Sequence, residues 1–487
     1  MKDRILQTLR DLRAYALAKG VEVTLDYHEE DSFLMRFANS AISLNTNEHL
    51  IRLEITAYAG KKRAGYELIT DLNKLDEMKQ GIDIAAEMAQ HAQPLTYQPT
   101  IPAFAESFAD ESGCDANLAQ ISNEEKLHYF NQAVAGLETD EIKLSGIFSN
   151  GVNTLAQITT RSTHTQYFKT SDAQVTAVLA HAGLKWEVSA EQSAYKKTDL
   201  DPALIQRKLA FMLEHYQHDT PQQLPLGKYD IVFGPAAITT LVGFMNWIGF
   251  NGGSMKRGFS FLKEEQVGKK VFSDQFTLTD DPTRLETYPF QRDFTGIPRK
   301  PFPIFQKGVF QGFTWFQDDA DEFGVQPTGH SVAHKSLVLD TGSGGTEHRK
   351  AGGTGGRRSQ SERQPTDHRL AVNSLEELFH LPREKDTLYI PFLHYTNIVN
   401  PSKAIFTGSS RFGALLLKKD GSVAIPYNVR LTQSLLDIFG ERVAWFSQNA
   451  TVYNTSMSYG ARNPAAMIVP TFMCVNEVEI SHSNASY

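Results

Sequence analysis

The chain has 487 residues, enough for two or three domains, and its 41% hydrophobic and 21% charged side chains are an ordinary balance for a protein that buries a large core. A formal net charge of −8 lacks the basic bias of a dedicated nucleic-acid binder, so nucleic acid is not an expected partner. No apolar run reaches the roughly 20 residues of a membrane-spanning helix, so no membrane is expected either.

The first twenty residues spread their charges and lack a small-residue cleavage site, which reads as an amphipathic helix and not a signal peptide. Ile5, Leu6, Leu9, Leu12 and Ala16 share one side of it, and Gly20 suits its end. Strands are expected over Val21–Tyr27, Phe33–Phe37, Ala41–Leu44 and Leu50–Ala59, with a hairpin turn at Gly60-Lys61 before Arg63–Ile69. Asp71 is placed to cap a helix from Leu72 to about Ala92 that buries Leu75, Met78, Ile82, Ala85 and Met88. Residues 93 to about 122 are proline-rich and aperiodic, a long ordered loop.

Leu127, Phe130, Ala133 and Leu137 then mark another helix. Strands Lys143–Phe148 and Val152–Thr159 flank Ser149-Asn150-Gly151, a strong hairpin signal. Further strands, Thr163–Lys169 and Gln174–Gly183, lead to a helix from Pro202 to about His218. The element order near 1–95 and 123–220 is alike, as in a duplicated unit. Pro221–Lys228 reads as a linker. Beyond it lie short strands with Gly and Pro turns, among them Gly308–Phe316, Thr387–Ile398, Ala404–Leu417 and Ala466–Glu479, and a short helix over Leu431–Phe439. The fold class expected is α+β: an N-terminal α+β domain (1–220) with antiparallel sheets and helices, then a β-rich C-terminal domain (221–487) with one central buried helix. Within the latter, 341–373 has almost no apolar side chains and is expected to be a flexible basic insertion.

Three places could carry chemistry. His330 and His334 stand at i and i+4, the spacing that holds a metal on a helix. Pro327, Thr328 and Gly329 before them and Leu337-Val-Leu-Asp340 after them indicate a turn into a strand, where that spacing is about 13 Å. Asp340-Thr-Gly resembles the active-site turn of aspartic proteases, but such an enzyme needs two copies and the chain has one. The third place is the segment from Tyr229 to Asp281. A strand (Tyr229–Phe233) passes through Gly-Pro into an apolar helix (about Pro235–Ile248). A glycine turn, Ser260 in Gly-Phe-Ser-Phe-Leu, Gly-Lys-Lys and a strand ending in Asp280-Asp281 follow.

That order resembles the zinc-helix region of the TldD/PmbA family, the modulator-of-gyrase metalloproteases. Phe37-Ala-Asn39-Ser40, Trp315 to His330, Ser374-Leu-Glu-Glu-Leu378 and Val469-Pro470 extend the likeness along most of the chain. In the metal-bearing branch the helix carries His-Glu-x-x-x-His. Here those positions hold Thr239, Thr240 and Phe244, with the intervening glycine kept as Gly243. None of the three supplies an imidazole nitrogen or a base. The family's Cys-Gly-Lys ligand segment matches about Asn454–Arg462, which has no cysteine. The resemblance therefore implies the metal-free, PmbA/TldE-like branch: no catalytic residue, no metal and no cofactor. It implies a cytoplasmic dimer, either with a zinc-bearing TldD-like paralogue or with itself, forming part of a chamber that degrades unfolded or flexible polypeptides. The alternatives are a stand-alone homodimeric scaffold, or a hydrolase without zinc that uses Asp340 or the pair His330 and His334.

Overall fold

A computed structural model of the chain describes residues 1–216, 219–340, 369–456 and 461–484. The N-terminal apolar spacing forms α1 (Lys2–Ala18), which buries Ile5, Leu6, Leu9, Leu12 and Ala16. Gly20, at φ +68°, turns the chain out of it. The four strands expected next are two: β1 (Glu22–Ala38) and β2 (Ala41–Ala59) form one long hairpin. The polar stretch Asp26–Asp31 does not break β1, because ladder hydrogen bonds on both sides come from backbone and are indifferent to side chain. After the Gly60-Lys61 turn, β3 (Lys62–Thr70) pairs back on β2. The following α2 (Leu75–His91) starts later than expected, since Asp71 accepts the Asn73 N–H in a local turn instead of capping at Leu72. Met88 points to solvent and Ala89 takes the buried place.

The proline-rich stretch contains β4 (Phe108–Asp110) and α3 (Ala116–Ala119). Ser122 and Glu125 then cap α4 (Asn123–Ala133) reciprocally. This helix buries Tyr129, Phe130 and Ala133, and Leu127 is exposed.

The hairpin expected at Ser149-Asn150-Gly151 does not exist. β5 (Ile142–Thr159) runs straight through, paired with β1 on one side and with β6 (Thr165–His181) on the other. Asn150 is fully buried and donates from its amide to the Leu118 carbonyl. Gly151 is there because a neighbour passes close: a Cβ on it would lie 2.8 Å from Cδ of Arg462 and closer still to the Asp31 carbonyl oxygen. Arg462 arrives from the far end of the chain. Its Nε and Nη2 reach the Asp172 carboxylate at 2.8 and 2.6 Å, and Nη1 donates to Ser149 Oγ at 3.0 Å. Its backbone N–H donates to Glu30, which also pairs with Arg52.

β7 (Trp186–Ala194) and α5 (Pro202–Tyr216) complete this half. The sheet order is β3-β2-β1-β5-β6, with β7 and the short β4 sharing the outer side of β6. Two runs of helix, three strands and helix thus meet where β1 pairs with β5.

The other half begins with β8 (Gly227–Phe233), α6 (Pro235–Ile248), α7 (Gly252–Lys256), β9 (Leu278–Asp280), β10 (Phe302–Gln306), β11 (Val309–Phe310), α8 (Gln317–Phe323) and β12 (Leu337–Leu339). It continues with β13 (Arg369–Leu370), α9 (Leu375–Phe379), β14 (Thr387–Ile390), β15 (Phe392–Asn400), β16 (Ile405–Arg411), β17 (Leu415–Leu417) and β18 (Val423–Ala424). Last come β19 (Asn428–Ser434), α10 (Leu435–Ile438), β20 (Val443–Ser447), β21 (Ala450–Asn454), β22 (Ala466–Pro470) and β23 (Met473–Asn484). One sheet has the order β11-β10-β9-β12-β22-β21; a larger one runs β15-β16-β19-β23-β8-β14-β17-β18, with β20 and β13 beside β23. Pairing is mostly antiparallel, and the fold is α+β as expected. The Leu431–Phe439 segment is strand first and helix only over Leu435–Ile438.

Leu241, Val242 and Met245 of α6 share one core with Ile231 and Phe233 of the larger sheet and Leu278, Ile304 and Val469 of the smaller. A second core joins the two halves of the chain: Val188 and Met212 pack with Val232, Tyr389, Leu415 and Phe472. Of the stretch expected to be a flexible insertion, 341–368 lies outside the described residues. The remainder, 369–373, belongs to the fold, with β13 paired on β20 and Val372 buried.

Two glycines should therefore respond in opposite ways. Gly151→Val forces the Arg462 contact apart and should lower unfolding stability by about 2–3 kcal/mol. Gly243→Ala in α6 meets nothing within 4 Å and should raise it by roughly 0.5–1 kcal/mol. Denaturant titration of the two variants checks both signs.

Candidate functional site

α6 is built as a central helix. Pro235 occupies its first turn, where no N–H is needed, and Gly234 precedes it because a Cβ there would lie 3.0 Å from Cα of Pro391. Ser260, in the loop beyond, donates to the Gly249 carbonyl at 2.5 Å and accepts the Leu262 N–H at 3.0 Å, locking the chain against the helix end. Thr239 is buried, and its hydroxyl has no hydrogen-bond partner among the described residues. The Thr240 hydroxyl is turned back to the Ala236 carbonyl at 2.9 Å. Phe244 lies against Phe406, ring centres 6.1 Å apart. Further along the outward side Trp247 is 63% exposed.

These side chains do not fit a zinc ion. Two threonine hydroxyls and a phenyl ring offer no imidazole, thiolate or carboxylate donor, and a neutral hydroxyl is a poor ligand. The histidines sit elsewhere, each committed to its own partner. His330 Nε2 is 2.8 Å from Asp280 Oδ2, and its Nδ1 is 2.6 Å from Thr328 Oγ1. His334 Nε2 is 2.9 Å from the Tyr288 carbonyl. Among the described residues no three His, Cys, Asp or Glu side chains converge as a metal site would require. Cys474 is buried in β23, and burial pushes its thiol up to about 12, so it is no thiolate near neutral pH. In the segment matched to the family's third ligand, 457–460 lies outside the described residues. Ser456 Oγ there accepts the Ala465 N–H and Arg462 is the clasp described above.

The double aspartate has a structural task. Asp280, 1% exposed, accepts both oxygens' worth of contacts from Arg299 Nη2 (2.8 and 2.7 Å), the His330 ring and the Ser336 N–H at 2.7 Å. Burial alone would raise its pKa, but the His330 hydrogen bond and the Arg299 charge outweigh it and hold the carboxyl well below its usual range. Burial lowers the pKa of His330 despite Asp280, so the neutral ring donates from Nε2 and accepts from Thr328. Lys335 is buried beside this group against the Phe316 ring at 4.7 Å, and burial pushes it down to about 8. Asp340 stands just after β12, its N–H donating to the Thr277 carbonyl at the border of the described residues; Thr341 and Gly342 of its motif lie beyond that border.

The structure brings together other residues that no sequence motif announces. A cavity of about 410 Å³ opens between α5, β7, β21 and α9, with Pro235 on its rim. Its walls come from positions 174 to 472, which explains why no local spacing revealed it.

Two measurements test this account. Thr239→Val exchanges an unpartnered buried hydroxyl for a methyl of the same shape and should stabilise the protein by about 1 kcal/mol in denaturant melts. Burial drops the His334 pKa from 6.5 to about 4, so the unfolded chain binds a proton first as pH falls. Stability should be full above pH 6.5 and fall as pH descends toward 4; in calorimetric scans His334→Gln should flatten that descent.

The profile of the PmbA/TldA metallopeptidase C-terminal domain matches residues 226–482. Among curated proteins none matches the sequence. Three solved structures share the fold over 98% of this chain. TldE from Thermococcus kodakarensis is 16% identical with a TM-score of 0.75 over 100% of its length. A provisionally named modulator of DNA gyrase from Bacteroides thetaiotaomicron is 17% identical with a TM-score of 0.73 over 98%. One from Thermotoga maritima is 15% identical with a TM-score of 0.71 over 99%. The profile match covers more than half of the chain and takes in β8, α6, Ser260 and the double aspartate, and the chain belongs to the PmbA/TldD family.

Proposed function

We propose that this chain is the metal-free, PmbA/TldE-like subunit of a two-chain peptidase, paired with a zinc-bearing TldD-like paralogue that cleaves unfolded or flexible polypeptides. The observation that carries this is α6. Its inner side is packed by both C-terminal sheets, so the scaffold of the family helix is intact. Its ligand and base positions hold Thr239, Thr240 and Phe244, which cannot activate water. A kept framework without donors suits a subunit that supplies wall and interface. The fold shared with TldE supports the same reading. No helix of the described residues is long and apolar enough to cross a membrane, and the free Cys114 and Cys474 suit a reducing cytoplasm.

Mixing is the test. The chain alone should leave casein intact and retain far less than one zinc per chain in elemental analysis. Combined with the zinc-bearing paralogue from the same cell it should support cleavage that a chelator abolishes, with Asp340→Asn behaving as the unaltered chain. Chelator-resistant cleavage by this chain alone, or no association with any such paralogue, would refute the proposal.

A further inference from the structure

One level of the N-terminal ladder carries only acceptors. Across β3, β2, β1, β5 and β6 the residues directly opposite one another are Glu67, Glu54, Asp26, Gln157 and Gln166. Opposed residues share a face, so these five side chains form a row across the sheet. The row lies on the face turned away from α1 and α2, whose core takes the alternate positions Leu25, Leu53 and Leu68. Other acids on this face are compensated: Glu30 by Arg52 and Asp172 by Arg462. Glu67, Glu54 and Asp26 have no basic partner among the described residues. Like charges directly opposed in a ladder repel. Burial and Glu54 together push the Asp26 carboxyl up to about 7, and burial and Glu67 raise that of Glu54.

The inner end of the row gives a second, separate sign. Gln157 is 6% exposed and Gln166 1%, and the side-chain oxygen of each has no hydrogen-bond partner among the described residues. The Gln166 amide nitrogen donates away from the row, to the Asp293 carbonyl at 3.4 Å, and that of Gln157 donates to Asp26. Buried acceptors without a donor are rare and destabilising. Here two of them stand in line with three uncompensated carboxylates. The Gln166 end is closed by the Asp293 loop, and the Glu54 and Glu67 end is exposed. Gly65 keeps that end open: a Cβ on it would lie 3.8 Å from Oε1 of Glu54.

We propose that this row binds a linear aliphatic polyamine, laid across the strands with one ammonium group at Asp26 beside Gln157 Oε1 and the others at Glu54 and Glu67. An ammonium group brings N–H donors and no acceptor, the complement of a row that has acceptors to spare. Neighbouring strands are about 4.8 Å apart. Three or four methylenes hold successive amines about 5–6 Å apart at ordinary bond lengths, so ligand and ladder keep step over three acids. A metal ion needs its oxygen ligands within about 2.0–2.6 Å of one point, which a straight row does not offer. No three acids or histidines converge in that way among the described residues. The site lies within one sheet of this chain, away from α6, and does not rest on the partner-subunit reading.

The test uses the full chain, titrated in a calorimeter at low ionic strength with spermidine, butylamine and magnesium chloride in turn. Spermidine should bind about tenfold or more tightly than either of the others, because only it spans the row. Glu54→Gln and Glu67→Gln, both at exposed positions, should each weaken spermidine about fivefold to tenfold. Neither should lower the melting temperature, since each removes a repelled charge. Asp26→Asn should weaken binding and raise the melting temperature. Asp76→Asn, 97% exposed on α2 beyond the other face of the sheet, should leave affinity unchanged. That variant separates the row from a general attraction to a chain of net charge −8. No binding of spermidine, equal affinity for butylamine or magnesium, unchanged affinity in both glutamate variants, or the same loss in Asp76→Asn would each overturn the site.

Discussion

Arg462 lies in the middle of a β-sheet built by residues from the other end of the chain, and much of the architecture follows from accommodating it. A buried guanidinium is tolerable only when fully paired, because taking an unpaired charge out of water costs several kcal/mol. Asp172 meets it with both oxygens, Ser149 takes another N–H, and Glu30 accepts its backbone. Gly151 stands directly across from Asp172 in the ladder, so the gap and the counter-charge occupy one cross-strand position. That arrangement requires β5 to be continuous, fixes its register on β1 and β6, and ties the C-terminal strands to the N-terminal sheet.

The site around α6 separates scaffold from chemistry in the same chain. Packing by Leu241, Val242 and Met245 depends on apolar volume and is satisfied here by both C-terminal sheets. Catalysis would depend on donor chemistry at a few positions, which packing alone does not specify. Thr239 is buried and Phe244 rests against the core, yet both fill space without offering a donor, so a family fold and a family activity need not travel together. The polar residues that are constrained lie around Asp280, where Arg299 and His330 satisfy one carboxylate and hold the turn before β12.

How much of this was legible beforehand follows from how local each signal is. The register of α1, the position of α6 and the mostly antiparallel pairing were readable from apolar periodicity and from Gly-Pro punctuation. The absence of zinc donors on α6 was readable from side-chain chemistry at three positions. The Asn150-Gly151 signal misled, because glycine serves a turn and a close approach equally well, and only the distant Arg462 tells them apart. β1 and β2 looked like four strands since their polar middles resemble loops until both neighbouring strands are known. The His330 and His334 spacing carried no information about Asp280 or the Tyr288 carbonyl, which claim them. The cavity was invisible for the same reason: its walls come from distant positions.

The meeting of β1 with β5 has a temporal side. Ala38 ends β1 and Ile142 begins β5, so about a hundred residues separate an edge from the strand that covers it. At roughly 5–20 residues per second a ribosome needs on the order of ten seconds to deliver that cover. During that interval β1 is an open edge of seventeen residues, shielded on one side only. Arg462 follows Asp172 by 290 residues, so Asp172 stays without its guanidinium, and Glu30 without the Arg462 N–H, for longer still. A chain cut short before that point would carry Asp172 without its counter-charge at the centre of its first sheet, and burying that carboxylate unpaired would lower the sheet's stability.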